Sequence, residues 1–192
     1  MLMKQKPRRY KTDLRHARPW FKTRSGTTLR VRLLRPDDAP RMIEFFDLLT
    51  PETRWRRFHT GVEHVSRDLI QRRAAELADV DNQQHGAVLA SYQDGEGEHI
   101  VGIVRLARPQ GEPTHPEAEA AIVIRDDFQG QGVGTELLRW MVLLAKEMKV
   151  QTIVATFHTA NESAIRLFRE LNLPATTIIH HGETEMRIQV PG

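Results

Sequence analysis

The sequence lacks cysteine, any long apolar segment and an N-terminal export signal. Without cysteine the chain has no disulfide, no thiolate nucleophile and no cysteine-based metal site. No apolar run approaches the roughly 18 residues of a membrane-spanning helix. Lys4 interrupts the chain after only three apolar residues, so the apolar centre of a secretory signal is missing. We therefore expect a protein of the reducing cytoplasm without a membrane segment.

Charge is distributed unevenly along the chain. Residues 1–36 contain twelve Lys or Arg residues and one acidic residue, a net charge of +11, whereas the remainder carries −8. We therefore divide the chain into a basic N-terminal arm, residues 1–23, and one domain, residues 24–192. Such an arm can attract nucleic acid. Because no nucleic-acid-binding motif is recognisable, we favour an accessory tail and expect removal of residues 1–19 to leave activity intact.

The pattern of apolar residues predicts alternating strands and helices. Between Val133 and Met148 apolar residues recur at intervals of three and four, which is typical of an amphipathic helix packed on a sheet. Thr50 and Ser66 are expected N-caps of two further helices. The helix capped by Ser66 is expected to end near residue 77, and two more helices are predicted at residues 38–49 and 163–171. Strands are predicted at residues 28–34, 86–92, 100–107, 118–124, 152–159, 176–180 and 184–190. The fold class is therefore α/β.

A loop with three glycines in five residues separates the strand at 118–124 from the long helix. It reads Gln129, Gly130, Gln131, Gly132, Val133 and Gly134. Glycine adopts positive φ and carries no side chain, so main-chain N–H groups can converge on phosphate oxygens at the positive end of the helix dipole. The spacing is not that of the dinucleotide pattern G-x-G-x-x-G, and the G-K-[ST] of a nucleoside triphosphate loop is missing. The loop is a candidate anion site of another kind.

Two motifs in order resemble the GNAT superfamily of N-acetyltransferases. The first is Gln129-x-x-Gly132-x-Gly134, and the second begins at Asn161 and continues to residue 173. The resemblance covers residues 24–190 and implies a GNAT-like mixed, mostly antiparallel central sheet of about six to seven strands flanked by helices. It also implies acetyl-CoA as co-substrate, an amine acceptor and no metal.

Three further segments look like the GNAT domain of bacterial protein lysine acetyltransferases of the Pat type. They are residues 35–38, 50–58 and 118–130. This resemblance implies a protein lysine as acceptor. Members of that type often carry a regulatory or acyl-CoA-synthetase-like domain, and this sequence shows neither. The acceptor therefore stays open between a protein lysine and a small-molecule amine.

The resemblance also assigns the residues that bind acetyl-CoA. The main chain of Ile122, Val123 and Ile124 would pair with the pantetheine arm like an added strand. The diphosphate would be bound by the loop and the helix start, which comprise Gln129, Gly130, Gln131, Gly132, Val133, Gly134 and Thr135. Asn161 would orient the cofactor, with a helix N-cap as its alternative role.

Phe168 is assigned to the cofactor site at a position where many GNAT enzymes have a tyrosine that protonates the leaving thiolate. A phenylalanine cannot donate that proton. Because Phe168 shares an apolar face with Ile165 and Leu171, we expect it to pack in the core. The departure from the family pattern permits an alternative function, a non-catalytic acyl-CoA sensor.

Glu119 is the candidate general base. It lies on the strand that enters the site, at the position of the proposed catalytic glutamate in Pat-type proteins, and we expect it to be partly buried. Glu117, two residues earlier, faces the same side of the strand. For both residues a solvated carboxylate without a chemical role is the alternative.

The nine histidines do not indicate a metal site. His180 and His181 are expected to be strand neighbours that point to opposite faces, so they could not hold one ion together. The zinc motif H-E-x-x-H is missing.

Overall fold

In the part of the chain that the computed structural model describes, residues 14–58 and 66–192, eight strands form one mixed sheet. Of residues 55–58 only the backbone is described. The strands are β1 (Trp20–Lys22), β2 (Thr28–Leu33), β3 (His85–Gln93), β4 (Glu98–Ala107), β5 (Glu117–Ile124), β6 (Thr152–His158), β7 (Ala175–His180) and β8 (Glu183–Gln189). Their order in the sheet is β1-β2-β3-β4-β5-β6-β8-β7. All neighbours are antiparallel except β5 and β6, which are parallel.

Five α-helices in the same residues cover the sheet. They are α1 (Ala39–Asp47), α2 (Pro51–Phe58), α3 (Arg67–Ala78), α4 (Val133–Glu147) and α5 (Glu162–Arg169). Helices α4 and α5 pack on one face in a core that includes Val88, whereas α1 and α3 pack on the other face in a core that includes Leu89. Successive residues of a strand point to opposite faces, so these neighbours in β3 belong to different cores. Among the described residues no helix has the length and apolar character needed to cross a membrane.

Local sequence signals explain most of these elements. Val133, Leu137 and Met141 are all buried in α4, as the period of the apolar residues predicted. The hydroxyl of Ser66 accepts a hydrogen bond from the main-chain N–H of Leu69 at 3.3 Å, and the hydroxyl of Thr50 accepts one from Thr53 at 3.3 Å. Both predicted N-caps are therefore confirmed.

The N-terminal segment belongs to the sheet, which changes the expected division of the chain. β1 pairs with β2, and the main-chain N–H of Val31 donates to the carbonyl of Pro19 at 2.6 Å. Ala17 is only 9% exposed, and Leu14 packs against the same core. The domain therefore begins no later than Leu14, and the sheet has eight strands rather than six or seven. A strand of three residues among many charges carries too little periodicity to be recognised from sequence.

A buried ion-pair network fixes the start of α1 to the sheet. The guanidinium of Arg32 donates to both oxygens of Asp38 at 2.7 Å each and to Glu98 at 2.7 Å. The main-chain N–H of Arg35 also donates to Asp38, at 2.9 Å. Burial raises the pKa of Asp38, but the hydrogen bonds from Arg32 and Arg35 outweigh it and hold that pKa below its ordinary value. The sequence pattern had predicted only that a helix begins at residue 38.

Candidate active site

The parallel strands β5 and β6 separate after a short stretch of pairing. They pair only from Glu117 to Glu119, opposite Thr152 to Val154. Beyond that point β5 continues to Ile124 paired with β4 alone, and β6 continues to His158 paired with β8. One edge of β5, residues 120–124, therefore faces an opening instead of a neighbouring strand. An extended ligand with amide groups can add to such an edge.

The glycine loop lies at the end of β5 beside this opening. Gly130 and Gly132 have φ angles of 69° and 90°. No heavy atom lies within 4 Å of the position that a Cβ would take at either residue. The main-chain N–H groups of residues 131–135 donate no hydrogen bond to another described residue. Unpaired N–H groups at the start of the 15-residue helix α4 form a site suited to phosphate oxygens.

Gly134 serves packing and not space for a ligand. It is helical, and a Cβ there would lie 2.7 Å from Leu167 Cδ2 and 3.0 Å from Ile124 Cδ1. Val133 is 1% exposed, so only its main chain can reach a ligand. The hydroxyl of Thr135 lies 3.5 Å from a carboxylate oxygen of Glu170.

The two glutamine side chains brace the loop. Gln129 Nε2 donates to the carbonyl of Ile124 at 3.1 Å, and Gln131 Nε2 donates to the carbonyl of Asp127 at 2.7 Å. Both amide groups thus bind the chain that leads out of β5. The glutamines shape the loop, while its main chain remains available for an anion.

Asn161 takes the helix-cap role that the sequence offered as its alternative, and Phe168 packs in the core as expected. The side-chain oxygen of Asn161 accepts a hydrogen bond from the main-chain N–H of Ala164 at 3.3 Å and so caps α5. Phe168 is 1% exposed and packs edge-on against Phe157, with ring centroids 4.9 Å apart. Its ring presents almost no surface to a ligand.

The two glutamates of β5 differ in their partners. Glu117 pairs with Arg187 of β8, which also contacts Glu185 at 3.3 Å. Glu119 lies at the apex of the opening, because it is the last residue of β5 paired with β6. It is exposed, so the expected partial burial is not found. Among the described residues Glu119 has no hydrogen-bond or ion-pair partner.

Asp126 connects the end of β5 to α2, a contact that sequence reasoning missed. Its carboxylate accepts hydrogen bonds from the main-chain N–H and the hydroxyl of Thr50, both at 3.0 Å, and from the hydroxyl of Thr53 at 2.6 Å. Burial raises the pKa of Asp126, but the bonds from Thr53 and Thr50 outweigh it and lower that pKa. Thr53 and Thr50 lie 73 and 76 residues from Asp126 in the sequence, so no local pattern could have predicted this contact.

A stack of rings and charges supports the other side of the same turn. The ring of Tyr92 stacks on Phe128, with centroids 5.9 Å apart, and on His99 at 5.0 Å. Arg125 lies over Phe128 at 4.9 Å and donates two hydrogen bonds to Asp127, at 2.7 and 2.6 Å. These contacts pack the turn that leads into the glycine loop against β3.

The histidine pair is arranged differently from the expectation. β7 ends at His180, and His181 lies in the following turn with a φ of 48°. The two rings are 3.8 Å apart and edge-on, so they do not point to opposite faces. In the described residues no group of three or more His, Cys, Asp or Glu side chains could hold a metal ion.

Comparison with known proteins defines the class of this fold and site. A family model described as an acetyltransferase (GNAT) domain matches residues 28–173. The chain therefore belongs to the GNAT family of acetyltransferases, and the sequence-based recognition of that superfamily is confirmed.

Particular relatives support the same assignment. Acetyltransferase PA5475 of Pseudomonas aeruginosa is 32% identical over 139 residues, which cover 72% of this chain and 70% of that protein. The GNAT domain of S. lividans PAT has a similar fold, with a TM-score of 0.74 at 24% identity over 88% of this chain and 95% of that one. The yncA protein of Salmonella typhimurium, solved with its cofactor acetyl-CoA, gives a TM-score of 0.64 at 16% identity over 85% and 94%. The expected mixed, mostly antiparallel fold is confirmed.

Proposed function

We propose that this protein transfers an acetyl group from acetyl-CoA to a primary amine. One observation carries the proposal: the unpaired edge of β5 leads directly into a loop whose main-chain N–H groups have no partner among the described residues. The edge suits the amide groups of a pantetheine arm, and the loop suits a diphosphate. Together, the edge and the loop match one continuous ligand with the shape of acetyl-CoA.

The main contribution of this arrangement is alignment of the thioester. The edges of Ile122, Val123 and Ile124 would direct the pantetheine arm toward the apex, where Glu119 lies. Orientation of two reactants in this way can lower a barrier by roughly 7 kcal/mol or more. Gly130 and Gly132 contribute because any side chain at either position would extend into the space beside the loop.

The acceptor must lose a proton before or as it attacks. A lysine-like amine has a pKa of about 10.4, so freeing its lone pair at pH 7 costs roughly 4.6 kcal/mol. In the proposed step the amine nitrogen bonds to the thioester carbon, the carbon–sulfur bond breaks, and Glu119 takes the proton from nitrogen. Glu119 suits this role because its carboxylate lies at the apex with no partner among the described residues.

The leaving thiolate needs no acid from Phe168. A thiol has a pKa of about 8.5, so a thiolate can leave near neutral pH and take its proton from water. The buried ring of Phe168 instead maintains the core beneath α5.

The proposed acceptor is a protein lysine, on the resemblance to Pat-type sequences, with a small-molecule amine as the competing acceptor. A cytoplasmic location goes with this proposal. The deciding experiment incubates the protein with labelled acetyl-CoA and separate pools of protein, polyamine and small-amine acceptors. Label in protein that is recovered on lysine supports the proposal. Label only in a small amine would assign the second acceptor class.

Phe168 has no hydroxyl that could protonate the leaving thiolate, which permits a second candidate function, a non-catalytic acyl-CoA sensor. Such a protein would bind acetyl-CoA with unchanged stoichiometry and transfer no label to any pool. Measurement of binding beside transfer therefore separates the sensor from the enzyme.

A further inference from the structure

A turn near the N-terminus lies directly against the glycine loop. The guanidinium Nη1 of Arg24 donates to the carbonyl of Gly130 at 2.9 Å, and the main-chain N–H of Arg24 donates to the carbonyl of Gln131 at 3.2 Å. The hydroxyl of Ser25 donates to the side-chain oxygen of Gln131 at 2.5 Å. The turn thus contacts the loop through three hydrogen bonds.

The turn is itself a fixed support. The hydroxyl of Thr23, a residue only 5% exposed, accepts from the main-chain N–H of Thr27 at 3.0 Å and lies 2.9 Å from the Ser25 hydroxyl. Gly26, with a φ of 99°, closes the turn by donating to the carbonyl of Thr23 at 3.0 Å. β1 on one side and β2 on the other anchor both ends of the turn in the sheet.

Arg24 changes the charge presented by the loop. Carbonyl oxygens beside an anion site repel phosphate unless a donor occupies them, and Arg24 occupies two. Its guanidinium has five N–H donors, of which Gly130 uses one. Among the described residues Arg24 has no ion-pair partner, so its positive charge is not neutralised there.

We propose that Arg24 is a positioning residue for the diphosphate of CoA, holding the carbonyls of Gly130 and Gln131 away from the ligand while the neighbouring N–H groups remain available. This inference rests on the proposed binding of acetyl-CoA. Arg24 precedes residues 28–173, which the family model matches, so the role falls outside that match.

The test compares wild type, Arg24→Ala and Arg24→Lys by calorimetry with three probes: CoA, dephospho-CoA and pantetheine. Dephospho-CoA keeps the diphosphate, and pantetheine has none. Loss of one such hydrogen bond should weaken CoA and dephospho-CoA equally, by about three- to tenfold. Pantetheine affinity should not change, and Arg24→Lys should recover part of the loss because it restores the charge and a donor. The KM for acetyl-CoA should rise with kcat unchanged.

Arg30→Ala is the matched control, since Arg30 is an exposed arginine of β2 whose guanidinium lies 5.8 Å from the centre of the Trp20 ring and has no hydrogen-bond or ion-pair partner among the described residues. It should leave all three affinities unchanged. Equal CoA affinity in wild type and Arg24→Ala would overturn the inference, and so would an equal loss for pantetheine, which would indicate general damage to the fold. A loss for CoA alone would place Arg24 at the 3′-phosphate instead. If wild type bound no CoA, the proposed function itself would fail, and this inference with it.

Discussion

Glu117 and Glu119 share one face of β5, yet only Glu117 is paired, through Arg187 of β8. Hydrogen bonds to Glu117 and, to a smaller extent, to Glu185 raise the pKa of Arg187, so its guanidinium stays charged. It therefore neutralises Glu117 and leaves Glu119 as the carboxylate without a partner among the described residues at the apex of the opening. The pair provides a built-in comparison for the proposed base.

Glu119→Gln should lower acetyl transfer by about 10² to 10⁴ fold without changing acetyl-CoA affinity, because the amide has the same shape and cannot take a proton. The deficit should shrink as pH rises, since the amine then deprotonates unaided. Transfer rates measured from about pH 6 to about pH 9.5 check this, because the fraction of deprotonated amine rises throughout this range toward the amine pKa of about 10.4. Glu117→Gln is the control. Equal rates in wild type and Glu119→Gln would remove Glu119 from the mechanism, and a loss confined to Glu117→Gln would identify the other carboxylate.

Gly132→Asp should abolish most acetyl-CoA binding, because it places a negative side chain beside the unpaired N–H groups of the loop. Gly111→Asp is a matched control. Gly111 also has positive φ, 81° against 90°, and no heavy atom within 4 Å of its Cβ position, so both variants carry similar backbone strain of about 1–2 kcal/mol. Calorimetry on both folded variants decides the matter. Unchanged affinity in Gly132→Asp would overturn the assignment of the loop.

Asp38→Ala should destabilise the fold by about 3–5 kcal/mol, because it leaves the buried guanidinium of Arg32 without its main partner. Urea unfolding measures the change, and Asp37→Ala, at an exposed neighbouring carboxylate, should alter stability little. The folded pKa of Asp38 lies below its unfolded value, so its contribution is present above the unfolded pKa and is lost as pH falls through the folded pKa. The difference in free energy of unfolding between wild type and Asp38→Ala should therefore be largest at neutral pH and should become smaller in acid. A gap that did not change with pH would contradict this account.

His99 should stabilise the fold more at low pH than at high pH. Its Nδ1 lies 2.6 Å from Glu44 and its Nε2 lies 3.0 Å from Asp94, and these bonds raise its pKa, the one to Glu44 most. A raised folded pKa gives stability that is fully present below the unfolded value of about 6.5 and is lost as pH rises through the folded pKa. The Tm difference between wild type and His99→Gln should shrink between about pH 5.5 and about pH 8.5. A difference that grew with pH would mean that the neutral ring is the stabilising form.

Removal of residues 1–19 should destabilise the domain, contrary to the expectation from sequence alone. The deletion removes buried Ala17, the packing of Leu14 and the Pro19 carbonyl that binds Val31. Loss of this apolar contact should cost roughly 1–3 kcal/mol. Removal of residues 1–13, which takes away none of these contacts, is the comparison. Identical Tm values for the two truncations would show that residues 14–19 do not support the core.

The sequence-based predictions were accurate where the interactions involved residues close together in the chain. Helix α4 was predicted from Val133, Leu137 and Met141 because their spacing is local and its consequence, burial of one face, is direct. The N-caps Thr50 and Ser66 were predicted for the same reason. The orientation of His180 and His181 was predicted wrongly, because His181 lies in the turn after β7, where the alternation of side chains along a strand no longer applies.

The sequence alone determined the fold class, the family and the position of the glycine loop, since each depends on residues close together in the chain. Only the tertiary structure decided that β5 and β6 separate after Glu119, that Arg187 pairs with Glu117 across 70 residues, and that Arg24 supports Gly130 across 106. Pairings of this kind depend on how distant strands stack in the sheet. A periodic pattern in one strand fixes which side chains share a face, but it carries no information about which strand or turn will lie beside them.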